Sequence, residues 1–219
     1  MLDWAEHARR EEERYRDGQD RLPGEGDRDA RQRQLTRLGN AASGCALSHL
    51  MAGNTELARE WFERAVDRYR ESWPLAPPGS WGRPIGILKA RILSADWPGA
   101  ESDAVWTLDQ GAADSESPIG RYSAALALLV LGRDEEARVL ADELRTRADF
   151  PAQVGDALAF LAARDPLGYI EAIEAVLESF ETREEYLEDL PVADTVLVLQ
   201  ALAGRRDMTA ELSSSLLPG

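Results

Sequence analysis

The sequence predicts an all-α protein built as a stack of helical hairpins. Three observations carry this. First, a small turn followed by a helix with alanine at a fixed place occurs three times. The segments are Gly53-Asn54-Thr55-Glu56-Leu57-Ala58, Ala95-Asp96-Trp97-Pro98-Gly99-Ala100 and Gly132-Arg133-Asp134-Glu135-Glu136-Ala137. Each follows an apolar helical stretch, and a hairpin that recurs along a chain marks a solenoid. Second, apolar residues recur at three- and four-residue steps rather than alternating, so no window argues for a sheet. Third, the 11 prolines fall mostly between apolar runs, where they end helices.

The elements follow in order. Residues 2 to 17 read as a charged helix, and 18 to 29 as a loop broken by Pro23, Gly24 and Gly26. From Asp29 to Ala52 an apolar stripe of Leu35, Leu38, Ala42, Cys45 and Leu50 predicts a helix that Gly53 ends. Asn54 or Thr55 caps the next helix, which runs to about Ser72. Its inner face is Leu57, Ala58, Trp61, Phe62, Ala65, Val66 and Tyr69, and its outer face is charged. Residues 73 to 78 form a connector rich in proline. A helix over 85–95 follows Pro84, and Pro98 opens its partner, with Ala100, Ala104, Val105 and Leu108 inward. Ser117 and Pro118 open a helix that is apolar all round from Leu126 to Leu131, hence central and buried. Its partner spans 134–148, and 151–163 with 166–180 makes a fourth hairpin. An acidic stretch over 181–189 is solvated, a helix over 195–203 caps the stack, and the serine-rich end frays.

The 219 residues suit one domain, or one domain with an N-terminal arm. The expected division is an arm over 1–28, a helical-repeat domain over 29–208 and a tail over 209–219. The net charge of -15 opposes general nucleic-acid binding, which needs clustered cations against phosphate. Lys89 is the only lysine. An acidic, lysine-poor surface suits a salt-loving (halophilic) organism, and a GC-rich genome that favours arginine codons accounts for it equally. The N-terminus is charged at once, unlike a signal peptide, and the longest apolar run is too short to span a bilayer. A cytoplasmic protein that avoids membranes is therefore expected. Cys45 stands alone in an apolar run, so it reads as a small buried hydrophobe.

The hairpins resemble tetratricopeptide repeats, whose second helix starts after Gly-Asn or Gly-Asp and carries alanine, an aromatic residue and alanine. Gly53, Asn54, Ala58, Phe62 and Ala65 match that run. Gly132 and Ala137 match in the third hairpin, where Ala141 stands in the aromatic place. Asp96 and Ala100 match in the second, and Ala172 in the fourth. Small residues are needed where helices cross closely. The resemblance covers residues 35 to 180 and implies a right-handed stack of about four hairpins with added terminal helices. Its function would be protein or peptide binding, without catalysis or cofactor. The C-terminal half also resembles all-α immunity proteins of bacterial polymorphic toxin systems, the family numbered 49. That likeness rests on the 132–137 hairpin, Leu161 to Asp165, Tyr169 and Leu199 to Arg206. It implies a toxin partner.

Catalytic and metal signals are weak. His7 has Asp3 and Glu11 at helical spacing, a pattern that an ordinary charged helix also produces. His49 reads as a packed histidine. Glu184, Glu185, Glu188 and Asp189 form a dense run, which in so acidic a chain is a solvated face. Residues 79–82 lack the lysine of a phosphate loop, and Ser43 lacks a nucleophile's setting. The strongest lead is cationic. In the repeat alignment the first helix of each hairpin lines the concave face, and these helices carry Arg83, Lys89, Arg91 and Arg121. Such a strip would draw an acidic ligand, with Trp81 and Tyr122 available for stacking. Structural bonds to helix ends and carboxylates are the competing role for these arginines. Leu47, Leu50, Met51, Ile85, Leu126 and Leu129 would share the concave face, and so much apolar surface demands a cover. Terminal helices, a partner or a second subunit in a homodimer would each supply one. An enzyme with carboxylates in a closed helical pocket is the reading from another class.

Overall fold

The computed structural model describes residues 3–24, 26–186 and 189–219. Every regular element among them is helical: α1 (Trp4–Asp20), α2 (Arg28–Met51), α3 (Thr55–Ser72), a 3-10 turn (Trp73–Leu75), α4 (Gly82–Leu93), α5 (Trp97–Asp109), α6 (Pro118–Val130), α7 (Asp134–Leu144), α8 (Ala152–Ala163), α9 (Pro166–Glu181) and α10 (Asp194–Gly204). None is long and apolar enough to cross a membrane. The all-α expectation holds. The helices fall into two compact units, α1–α4 and α5–α10.

Helix starts follow simple chemistry. Asp3, Asp27, Asp96 and Asp165 each accept a hydrogen bond from the backbone N–H three residues on, at 3.0–3.2 Å. Pro98, Pro118 and Pro166 sit in first turns, where no N–H is missed. Helix stops share a geometry at four of the turns. Gly53, Ala95, Gly132 and Arg164 all take left-handed backbone angles, with φ of 77°, 57°, 69° and 54°. Each donates its N–H to a carbonyl three residues back. The sequence shows glycine at only two of these four places.

In the first unit, α2 is the spine. It packs against α1 on one side and α3 on the other, and α4 packs on α3 and touches α2. Leu35, Leu38, Ala42 and Cys45 are fully buried, as their spacing predicts, and so are Ala58, Phe62, Ala65 and Val66 on α3. α1 extends to Asp20 and lies along α2, so Gly18 is helical rather than the start of a loop. A β-carbon at Gly18 would stand 2.9 Å from both Gln34 and Leu38, which shows how closely the two helices approach there.

In the second unit, α5 to α9 pack each against the next, and α10 rests on α8 and α9. Tyr122 through Val130 are buried without a break, as the all-round apolar run predicts. α7 stops at Leu144, short of the expected 148, and a turn leads to the buried Phe150. The C-terminal tail is folded rather than frayed. Met208, Ala210 and Leu216 are buried. Gln200 bonds both the N–H and the carbonyl of Ala210, and the N–H of Ala193 donates to the carbonyl of Leu216 at 3.0 Å. Within the acidic stretch Glu181 to Glu185 are exposed, while Glu188 lies outside the described residues.

Candidate functional site

The most distinctive polar arrangement lies where α2 and α4 flank the C-terminal half of α3. A stripe of α2 residues at helical spacing runs along it: Gln32, Thr36, Asn40, Ser43, Leu47 and Leu50. α4 contributes Arg83, Ile85, Gly86 and Lys89. Tyr69 of α3 is the floor. A β-carbon on Gly39 would fall 2.5 Å from its ring, and one on Gly86 would fall 2.6 Å from the opposite edge. The ring is therefore clamped between two helix backbones. The Tyr69 hydroxyl donates to Asn40 Oδ1 at 3.0 Å and lies 3.4 Å from Ser43 Oγ.

Arg83 is held one step toward the N-terminal end of α2. Its Nε donates to Ser72 Oγ at 2.7 Å, and its Nη2 donates to Gln32 Oε1. Ser72 in turn donates to the Gln32 carbonyl at 2.9 Å and lies 3.0 Å from Thr36 Oγ1. Among the described residues no carboxylate pairs with Arg83, whose partners are a hydroxyl and an amide oxygen. Burial pulls its guanidinium below the ordinary range, yet arginine stays charged. The result is a half-buried cation kept in place by neutral groups. Arg70 of α3 is likewise lowered, first by burial and then by the charge of Arg91. α3 and α4 thus bring Arg70 and Arg91 near each other in a chain of net charge -15.

Beside this polar end the stripe turns apolar. Leu47, Leu50, Met51 and Ile85 are half-buried. Leu126 and Leu129 are not: both are completely enclosed in the second unit and line no surface. The expected stacking residues are corrected in the same way. Trp81 is buried with its ring 5.4 Å from that of Trp73, and Tyr122 is buried 5.6 Å from Phe150. Both rings serve the core. Arg121 pairs with Glu143 and donates to the Ser115 carbonyl at 2.9 Å, which is the structural role. Of the expected strip, Arg83, Lys89 and Arg91 share α4, while Arg121 belongs to the second unit.

Compared with known proteins, the chain matches no family model, no curated protein and no solved structure. Chemistry therefore has to be judged from the side chains alone.

Asp3, His7 and Glu11 do not converge on one site. Glu11 is almost wholly buried and pairs with Arg14 at 2.7 Å and Arg10 at 3.3 Å. Asp3 is committed to its helix cap. Among the described residues no three histidine, cysteine or acidic groups could hold a metal ion. Asp29, Glu136 and Asp149 are exposed carboxylates lowered by their hydrogen-bond partners, opposite to a general acid. Burial raises the Cys45 thiol to about 12, which leaves it inert. Burial also lowers His49.

Sequence reasoning missed the Tyr69 clamp and the Gln32–Ser72 cradle. Gly39 and Gly86, glycines inside helical runs, were the available signal, since such glycines mark close backbone approach. The cradle gave no signal, because it joins residues from three helices.

Proposed function

We propose that the chain is a non-enzymatic protein- or peptide-binding module built on helical repeats. In this reading the α2–α4 face is the docking surface. The occupant is an acidic peptide segment with an apolar flank. One observation carries the reading: Arg83 is a desolvated cation whose fixed partners are neutral. Its charge remains available to an incoming carboxylate, which a surface ion pair would not allow. Ser72 and Gln32 hold the guanidinium in place beforehand, so little side-chain entropy is lost when a ligand arrives. Lys89 and Arg91 add to the local field, which attracts acidic segments while the rest of the surface repels them. Leu47, Leu50 and Ile85 supply the apolar contact area.

The test is selection of peptides from a random displayed library on the full chain, followed by titration of the enriched peptide. Enriched sequences should combine Asp or Glu with apolar residues. The Arg83→Gln and Lys89→Glu substitutions should each weaken binding at least about tenfold, the loss of one charge-assisted contact. Arg121→Glu should leave it unchanged. Enrichment of basic peptides, or binding indifferent to Arg83 and Lys89, would remove the proposed surface.

A further inference from the structure

Arg83 is bound along one edge only. Its Nε donates to Ser72 Oγ at 2.7 Å and its Nη2 to Gln32 Oε1, which uses the parallel pair of N–H groups on that edge. The second parallel pair, on Nη1 and Nη2, has no hydrogen-bond partner among the described residues. Arg83 also stands in the first turn of α4, which contains no acidic residue. A cation there meets the positive end of the helix dipole, so nothing in its own turn offsets its charge.

Gln32 sets this arrangement. It is 5% exposed and joins two groups of opposite charge. Its Nε2 donates to Asp29 Oδ1 at 3.1 Å, while its Oε1 accepts from Arg83. An ionised carboxylate only accepts and a guanidinium only donates, so the amide has a single orientation. The bond from Gln32, and after it the Arg33 guanidinium, hold the Asp29 carboxyl below its ordinary range. Thr36 Oγ1 and Ser72 Oγ both donate to the Gln32 carbonyl at 2.9 Å, which fixes its backbone. Asp29 therefore orients Arg83 through a neutral amide and does not neutralise it. A glutamate at position 32 has the same size, but it would give the guanidinium a fixed counter-charge.

Building on the docking reading above, we infer that Gln32 is the positioning residue that makes the α2–α4 face a receptor for one unphosphorylated Asp or Glu side chain. The ligand carboxylate lies in the guanidinium plane and accepts the N–H pair on Nη1 and Nη2 as two parallel bonds. One cation balances one negative charge. A phosphate dianion would leave a charge unpaired in a half-buried site, with Asp29 behind Gln32 repelling it.

The displayed-library selection is run in parallel on the full chain and on its Gln32→Glu variant, with circular dichroism as the check of fold. The peptide enriched on the unaltered chain is then titrated in three forms, with its acidic residue as Glu, Gln or phosphoserine. On the unaltered chain the Gln form should bind at least about tenfold more weakly than the Glu form, and the phosphoserine form also more weakly. Gln32→Glu should erase the advantage of the Glu form and leave the affinity of the Gln form unchanged, whereas general damage to the surface would weaken both. If Gln32→Glu does not fold, Gln32→Met is the second variant, neutral and of similar length but a poor acceptor. It should weaken the Glu form at least about threefold and spare the Gln form. A Glu advantage that survives Gln32→Glu, Gln32→Met without effect where it replaces that variant, or phosphoserine binding as tightly as Glu overturns the inference and leaves the docking reading standing. A selection on the unaltered chain that enriches no acidic residue removes both.

Discussion

The clamp on Tyr69 makes a prediction with a sign. Gly39→Ala places a β-carbon 2.5 Å from the Tyr69 ring, far inside van der Waals contact. The ring cannot yield toward α4, where the same construction at Gly86 gives 2.6 Å. Overpacking of a filled core costs about 1–3 kcal/mol. Replacing glycine by alanine inside a helix returns about 1 kcal/mol through propensity. The net loss should therefore be about 0–2 kcal/mol, the difference of these two effects. In a Tyr69→Ala background the clash vanishes and only the propensity gain remains, so the same Gly39→Ala change should become stabilising. Urea denaturation followed by tryptophan fluorescence is a suitable assay, because Trp4, Trp61, Trp73 and Trp81 all lie in the first unit. A Gly39→Ala substitution that stabilises the chain with Tyr69 in place would show that the ring is not clamped.

Asp134 holds Arg206, which is only 4% exposed, and also Arg164 at 3.0 Å. Asp134→Ala strands the buried Arg206 without a counter-charge and should cost about 3 kcal/mol, whereas Arg164→Ala removes an exposed partner and should cost under about 1 kcal/mol by denaturant titration. His49 is lowered by burial, so the unfolded chain takes its proton first. Its contribution is complete above pH of about 6.5 and is lost as pH falls toward the folded value, and His49→Gln should flatten the stability profile in that window. Ala95 holds a left-handed conformation with φ of 57°, so Ala95→Gly should raise stability by about 1 kcal/mol, measured as a shift in thermal midpoint.

What the sequence made legible was set by short-range physics. The helices from α2 to α10 were readable because their apolar spacing and their aspartate and proline starts act within one turn of chain. The folded tail was not, because its order comes from Gln200 bonding to Ala210 and from Ala193 pairing with Leu216, which serine-rich text does not announce. The cationic residues of α4 were found as a run of like charge, but Trp81 and Tyr122 were misjudged as free rings. Aromatic side chains look alike in sequence whether they face a ligand or Trp73 and Phe150.

The near-absence of lysine can be divided by geometry. One group of arginines anchors loops and a helix end by donating to backbone carbonyls of other segments. Arg28 donates to the Pro74 and Leu75 carbonyls, Arg31 to Pro23 at 2.8 Å, Arg205 to Val130 at 3.3 Å and Arg206 to Leu129 at 2.7 Å. These need a planar fork with several donors, and a lysine ammonium, a point charge on a flexible stem, does not reproduce it. A second group makes exposed pairs within one helix, such as Arg16 with Glu12 and Arg33 with Asp29. Lysine would serve there as well, since such pairs contribute about 0.3–0.5 kcal/mol whatever the cation. Codon preference explains the second group only. Arg16→Lys and Arg33→Lys should therefore leave stability unchanged, while Arg28→Lys and Arg206→Lys should each cost about 1–2 kcal/mol, the loss of charge-assisted bonds. Denaturant titration of the four single variants separates the groups. If all four behave alike, the carbonyl anchors contribute nothing beyond charge, and the genome's composition alone accounts for the arginines.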